Sequence, residues 1–164
     1  MQENKLIATL RILCEREIQF ILVGGLAAVL HGAPIQTYDV DVVYALEPGN
    51  IDRLLKVLEA SEAIYRIQPE RRLRPTRRDL SAGGHLNLLT IYGPVDLLGM
   101  IGPNLSFVDL LPRSDEMKVS EEICVRVLNL ETIIFTKEYL GSEKDIAVLP
   151  LLRQTLREAK KKPR

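Results

Sequence analysis

The chain has little cysteine, two in 164 residues, no tryptophan, and no excess charge, with 22 basic residues against 22 acidic. Cys14 and Cys124 lie far apart without CxxC or Cys/His spacing, which suggests neither a disulfide framework nor a zinc site. Reduced thiols in a cytoplasm are the simpler expectation. Balanced charge argues against a histone-like or polybasic membrane protein, and equally against an acidic disordered tail. The longest apolar run, residues 20–30, holds two glycines and is too short to span a bilayer, so no membrane association is expected. The charged start, MQENKL, lacks the apolar stretch of a signal peptide. No repeat or low-complexity segment is visible. With 46% hydrophobic residues, a chain of this length can bury roughly 70% of the surface its unfolded form exposes. One domain over residues 1–164 is expected.

Helical and strand patterns interleave. Leu6, Ile7, Leu10, Leu13 and Cys14 recur at helical spacing, predicting a first helix that ends near Ile18. Residues 20–23 read as a buried strand, interrupted by Gly24-Gly25, with an apolar helix over 26–30 stopped by Gly32 and Pro34. Residues 40–44 are β-branched and read as a strand. Residues 47–50 form a turn with Asn50 as N-cap of the next helix, where Ile51, Leu54, Leu55 and Leu58 make one buried stripe. A short strand is expected at 64–67 and an arginine-rich loop over 69–84. Strands at 86–92 and 95–98 are joined at Gly93-Pro94. A helical turn at 107–111 closed by Pro112, short strands at 117–119 and 124–127, and helices at 131–140 and 143–159 complete the pattern, the last kinked or restarted at Pro150. Interleaving of this kind indicates an α/β (α+β) sheet with helices packed over it.

Three pieces carry chemistry. Two glycines at a strand-to-helix junction let backbone approach a ligand, and free N–H groups there suit phosphate. Asp39 and Asp41 stand two apart, so on a strand both carboxylates leave one face and repel unless a cation sits between them. Oxygen-only ligands select a hard ion, magnesium bound jointly with substrate phosphates. Asp96 alternates with Val95 and Leu97, whose faces seek the core, and an acidic residue in such a strand must be paired, exposed or coordinating. Asp96 fits a third ligand, and two ions about 3.5–4 Å apart would use one aspartate as a bridge.

Val23-Gly24-Gly25-Leu26-Ala27-Ala28, then His31-Gly32-Ala33-Pro34, Thr37 and Asp39-Val40-Asp41-Val42-Val43, resembles the nucleotidyltransferase-fold superfamily, and within it the small single-domain bacterial proteins that include transferase toxins of toxin–antitoxin pairs. Residues 93–98 resemble its third-carboxylate strand. Residues 130–138, with Lys144-Asp145, resemble its C-terminal helical segment. The resemblance covers about 20–156. It implies a mixed sheet flanked by helices, and transfer of a nucleoside monophosphate from a nucleoside triphosphate such as ATP, with pyrophosphate released. By motif, Asp39 and Asp41 would ligate magnesium, and Asp96 would assist metal binding or activate the acceptor hydroxyl. Gly24 and Gly25 would face the triphosphate, with Lys137 and Lys144 approaching phosphate or acceptor. The acceptor would be an RNA end, a protein or a small molecule, and a partner protein is compatible with the chain's size. The chain departs from the pattern at Gly25, where serine is frequent, at Ile35-Gln36, where arginine or another polar residue is, and at Ser142, where arginine is common. These departures leave open a nucleotide-binding or regulatory module of the same fold.

Other features admit two readings. Arg66, Arg71, Arg72, Arg74, Arg77 and Arg78 face only Glu70 and Asp79 locally. They form either a flap for triphosphate or nucleic acid, or a solvated loop. No aromatic interleaves them, which gives single-strand stacking little support. Lys137 and Lys144 also read as helix-surface lysines. His31 reads as a cap or packing residue, the two cysteines as small buried hydrophobes, and residues 160–164 as a frayed helix end.

Overall fold

A computed structural model describes residues 3–162. In chain order the elements are α1 (Lys5–Glu15), β1 (Phe20–Val23), α2 (Gly24–Leu30), β2 (Val40–Tyr44), α3 (Pro48–Ala60), β3 (Ile64–Tyr65), α4 (Arg77–Ala82), β4 (His85–Thr90), β5 (Gly93–Leu98), β6 (Met100–Ile101), β7 (Leu105–Ser106), α5 (Phe107–Leu110), β8 (Ser114–Lys118), β9 (Cys124–Leu128), α6 (Leu130–Leu140) and α7 (Glu143–Lys161). Seven strands form one mixed sheet in the order β3-β4-β5-β2-β1-β9-β8, and β6 and β7 form a separate hairpin. β1 runs antiparallel to β2 and parallel to β9, while β2 runs parallel to β5. The architecture is the expected α+β arrangement, a mixed sheet with helices over it and a helical C-terminal segment. Among the described residues no helix is long and apolar enough to cross a membrane.

The core follows from strand alternation. Val40, Val42, Val95 and Leu97 point to one face and are buried, as are Leu86 and Leu88 on β4. That leaves Asp41 and Asp96 on the opposite face, paired across β2 and β5.

Several boundaries differ from the sequence reading. α1 stops at Glu15 rather than near Ile18, because Glu17 turns left-handed (φ 55°) and the Ile18 N–H returns to the Leu13 carbonyl. Asn50 is not the cap of α3. Glu47 caps it, its carboxylate accepting from the Gly49 and Asn50 N–H groups, with Pro48 at the first helical position. Asn50 is fully buried instead. Its Oδ1 accepts from the Gln19 N–H at 2.7 Å, and its Nδ2 donates to the carbonyls of Gln19 and Ala45 at 3.1 and 2.8 Å. The side chain thus ties the entry of β1 to the exit of β2. Asn50→Ala removes all three hydrogen bonds, of whose backbone groups the Gln19 carbonyl alone keeps another, from the Ala45 N–H, and is expected to cost about 2–3 kcal/mol. Urea unfolding of the variant checks this, and an unchanged midpoint would show that the three groups find other partners.

The arginine segment is not a continuous loop. A single 3-10 turn at Pro69–Arg71 is followed by α4, held by a reciprocal cap between Thr76 and Asp79 and closed by left-handed Gly83. Leu80, on α4, is fully buried, and its carbonyl accepts from the Tyr44 hydroxyl at 2.6 Å. With one apolar anchor the helix has no periodicity to read. Pro112 lies inside a 3-10 turn that continues α5, and α7 runs unbroken through Pro150. Cys124 is exposed and Cys14 half-buried, both as thiols, which corrects the expectation of two buried side chains. Strand alternation explains Cys124, since Val125 and Val127 take the inward positions of β9. The tail is helical to Lys161, and Pro163 and Arg164 lie outside the described residues.

Candidate active site

The sheet topology gathers the three sequence motifs. β1 ends at Val23, whose partner across the antiparallel pair is Asp41, near the start of β2. Asp96, on the parallel neighbour β5, stands directly beside Asp41. One carboxylate oxygen from each of Asp39, Asp41 and Asp96 lies within 4.8 Å of the other two.

Gly24 makes this packing possible. Its φ of +69° is left-handed, and a Cβ on it would overlap the Asp41 carboxylate. Gly24→Ala therefore meets both backbone strain and displacement of Asp41. The expected loss is about 1–3 kcal/mol of stability and, with the carboxylate moved, on the order of 100-fold in any activity of the site. A variant with wild-type unfolding and turnover would contradict this contact.

Burial of the Asp41 carboxyl pushes its pKa up to about 7, reinforced by the adjacent carboxylate of Asp96 and the charge of Asp39, with Lys137 opposing. Its Oδ1 is buried without a hydrogen-bond partner among the described residues. Such an oxygen is costly unless a cation completes it. The orphaned oxygen, the cluster of carboxylates and the all-oxygen donor set together fit a hard divalent ion.

A cavity of about 410 Å³ opens beside these carboxylates, lined by Gly25, Thr37, Asp39 and Asp41 on one side and by Lys137, Lys144 and Asp145 on the other. The size is that of a small-ligand site. α6 and α7 bring in the second group. Lys137 pairs with Asp145 at 3.2 Å, both side chains mostly buried, whereas Lys144 is exposed at the rim. Five of the sequence-derived residues therefore line the cavity: Gly25, Asp39, Asp41, Lys137 and Lys144. Gly24 lies behind Asp41. Asp96 is beside the cavity rather than in its lining, and Arg66 holds it at 2.7 Å.

Arg66 is expected from the sequence only as part of a triphosphate or nucleic-acid flap or a solvated loop, and Thr37 and Asp145 only as motif neighbours without a role of their own. Here Arg66 pairs with Asp96, and Thr37 and Asp145 line the cavity. Arg66 follows β3. Its N–H donates to the Asn87 carbonyl, and its guanidinium also reaches the Leu88 carbonyl at 3.3 Å. Only the pairing of β3 with β4 brings it to Asp96, so no local spacing announces the contact. Asp145 did carry a signal: Ser142-x-x-Asp145 before an apolar run is a capping box. Ser142 caps α7, with the Asp145 N–H donating to its hydroxyl. His31 follows α2, with Nε2 2.8 Å from the Leu128 carbonyl, a packing role as expected.

No family model and no curated protein matches the sequence. Solved structures do match. A lincosamide antibiotic adenylyltransferase, LnuA, with lincomycin bound, superposes with a TM-score of 0.60 over 94% of this chain and 98% of its own, at 13% identity. The chain has the nucleotidyltransferase fold. A Thermotoga maritima protein named as a candidate nucleotidyltransferase gives a TM-score of 0.57 at 16% identity, covering 96% of each chain. Within that fold the present chain clusters three acidic side chains able to bind a divalent cation.

Proposed function

We propose that the chain is a magnesium-dependent nucleotidyltransferase working as a single domain. It would transfer a nucleoside monophosphate from a nucleoside triphosphate to a hydroxyl and release pyrophosphate. The observation that carries this reading is the convergence of Asp39, Asp41 and Asp96 at the Gly24 turn, in a chain whose solved neighbours are nucleotidyltransferases. The three aspartates would hold magnesium, as two ions, which supplies charge neutralisation at the phosphates when bound.

In the reaction the acceptor oxygen bonds to the α-phosphorus. The bond from that phosphorus to the α,β-bridging oxygen breaks, and pyrophosphate leaves with the electron pair. Asp96, on the sheet face beside the cavity, would assist metal binding or take the acceptor proton, with Arg66 orienting its carboxylate. Gly25 gives the triphosphate close access to backbone, and Lys137 and Lys144 add positive charge from the opposite wall. LnuA is an antibiotic adenylyltransferase with lincomycin bound, which favours a small hydroxyl compound as acceptor here, with an RNA end or a protein, alone or through a partner protein, as the other classes. A cytoplasmic setting is part of this reading, supported only by two cysteines without disulfide or zinc spacing in the sequence.

A second reading, a nucleotide-binding module without transfer, rests on the Arg66–Asp96 ion pair, which already supplies the third carboxylate with a cation. Incubation with each α-labelled nucleoside triphosphate and magnesium, against cell RNA, protein and hydroxylated small molecules, separates the two. Label transferred by wild type and not by Asp41→Asn supports the transferase. Nucleotide binding without label transfer to any acceptor class supports the module.

A further inference from the structure

Position 25 and position 37 share one piece of space. A Cβ built on Gly25 would stand 3.0 Å from Thr37 Oγ1 and 3.2 Å from Thr37 Cβ, so a side chain at either position crowds the other. Thr37 lines the same cavity as Asp39, Asp41 and Lys137. Among the described residues its hydroxyl makes one long hydrogen bond, 3.4 Å to the Asp39 carbonyl. A hydroxyl can donate once and accept twice, and a bond of that length leaves it ready to turn to a better partner.

The charged donors of the cavity stand on the wall made by α6 and α7, opposite Gly25 and Thr37. Asp39 and Asp41 only accept when ionised, and Lys137 is paired with Asp145. Lys144 sits on the exposed rim. Of the uncharged donors that line the cavity, Gln36 and Tyr38 are exposed and hydrogen-bonded to each other at 3.1 Å, whereas Thr37 is half-buried beside the carboxylates, and its β-branched side chain is stiff at χ1, which favours a fixed hydroxyl.

We propose that Thr37 donates its hydroxyl to a phosphate oxygen of the nucleotide, and that Gly25 is side-chain-free because Thr37 occupies the space a residue there would need. This rests on the nucleotidyl-transfer reading and adds a binding residue to it. Thr37 serves the position from which a serine at residue 25 would otherwise reach.

The test uses the full chain with magnesium and each of the four α,β-methylene nucleoside triphosphates as probes, with affinity measured by calorimetry. Thr37→Val keeps the shape and deletes the hydroxyl. It is expected to weaken the best probe about 10- to 100-fold, the range for a hydrogen bond to a charged group, with its urea midpoint unchanged. Thr37→Ser is expected to bind as wild type does. Gly25→Ser is expected to weaken binding in the wild type, where it crowds Thr37, and to strengthen it in Thr37→Ala, where space and hydroxyl are both missing. Equal affinity of Thr37→Val and wild type overturns the assignment of Thr37 alone. Wild type that neither binds any probe nor transfers label overturns the nucleotidyl-transfer reading, and this assignment with it.

Discussion

Asp41→Asn is expected to lower nucleotidyl transfer by about 10³-fold or more while leaving the protein folded. Replacing the central carboxylate by a neutral amide weakens the hold on the cation that neutralises the phosphates by several kcal/mol, and each 1.36 kcal/mol is tenfold in rate. Asparagine keeps the shape that packs against Gly24, so the change acts on charge rather than on backbone. Rates with magnesium, compared at matched protein concentration with circular dichroism of both proteins, measure the effect. Full activity in Asp41→Asn would remove this carboxylate from the chemistry.

The same residue governs the second large effect, on stability without metal. Burial and the neighbouring carboxylates raise the Asp41 pKa from 3.8 to about 7 in the folded state. Below pH 4 the side chain is protonated in both states and contributes no difference. As pH rises from 4 toward 7, the unfolded chain releases the proton that the folded chain retains, so folding loses stability. Above 7 both states are ionised and the loss is complete. The loss is on the order of 3 kcal/mol, taking 1.36 kcal/mol per unit and allowing for partial exposure. Asp41→Asn cannot ionise and escapes it. Metal-free wild type and variant should therefore unfold at similar urea concentrations near pH 4, with the variant the more stable at pH 8. Magnesium should then stabilise wild type at pH 8 by mass action and leave the variant nearly unmoved. A wild type more stable than Asp41→Asn at pH 8 without metal would contradict the buried-charge account. The site is thus expected to trade metal-free stability for cation binding.

Much of this was legible in the sequence because the signals are local. The strand into Gly24-Gly25, the aspartates at 39 and 41 and the β4–β5 hairpin each depend on neighbours a few residues away, although the hairpin turns at 91–92 and Gly93-Pro94 open β5 instead of making the turn. Alternation also placed Asp96 opposite Val95 and Leu97, on the face it occupies. What stayed hidden depends on which strands pair. That Asp96 faces Asp41 in register requires β5 to lie parallel beside β2, and that Arg66 reaches Asp96 requires β3 on β4. Asn50 misled because asparagine suits a cap so well. Inside α3 its amide serves two other strands' ends, and the glutamate three residues earlier takes over the cap. Lys137 and Asp145 were each visible, but their pairing depends on how α6 and α7 fold together.

The central claim is chemical: the bond broken lies between the α- and β-phosphates. The direct measurement follows the products of an α-labelled and a γ-labelled triphosphate side by side, with magnesium and an acceptor mixture. The account predicts α-label on the acceptor and γ-label released as pyrophosphate, one for one, both absent in Asp41→Asn. Release of γ-label as orthophosphate, or its appearance on the acceptor, would place the cleavage elsewhere and contradict nucleotidyl transfer.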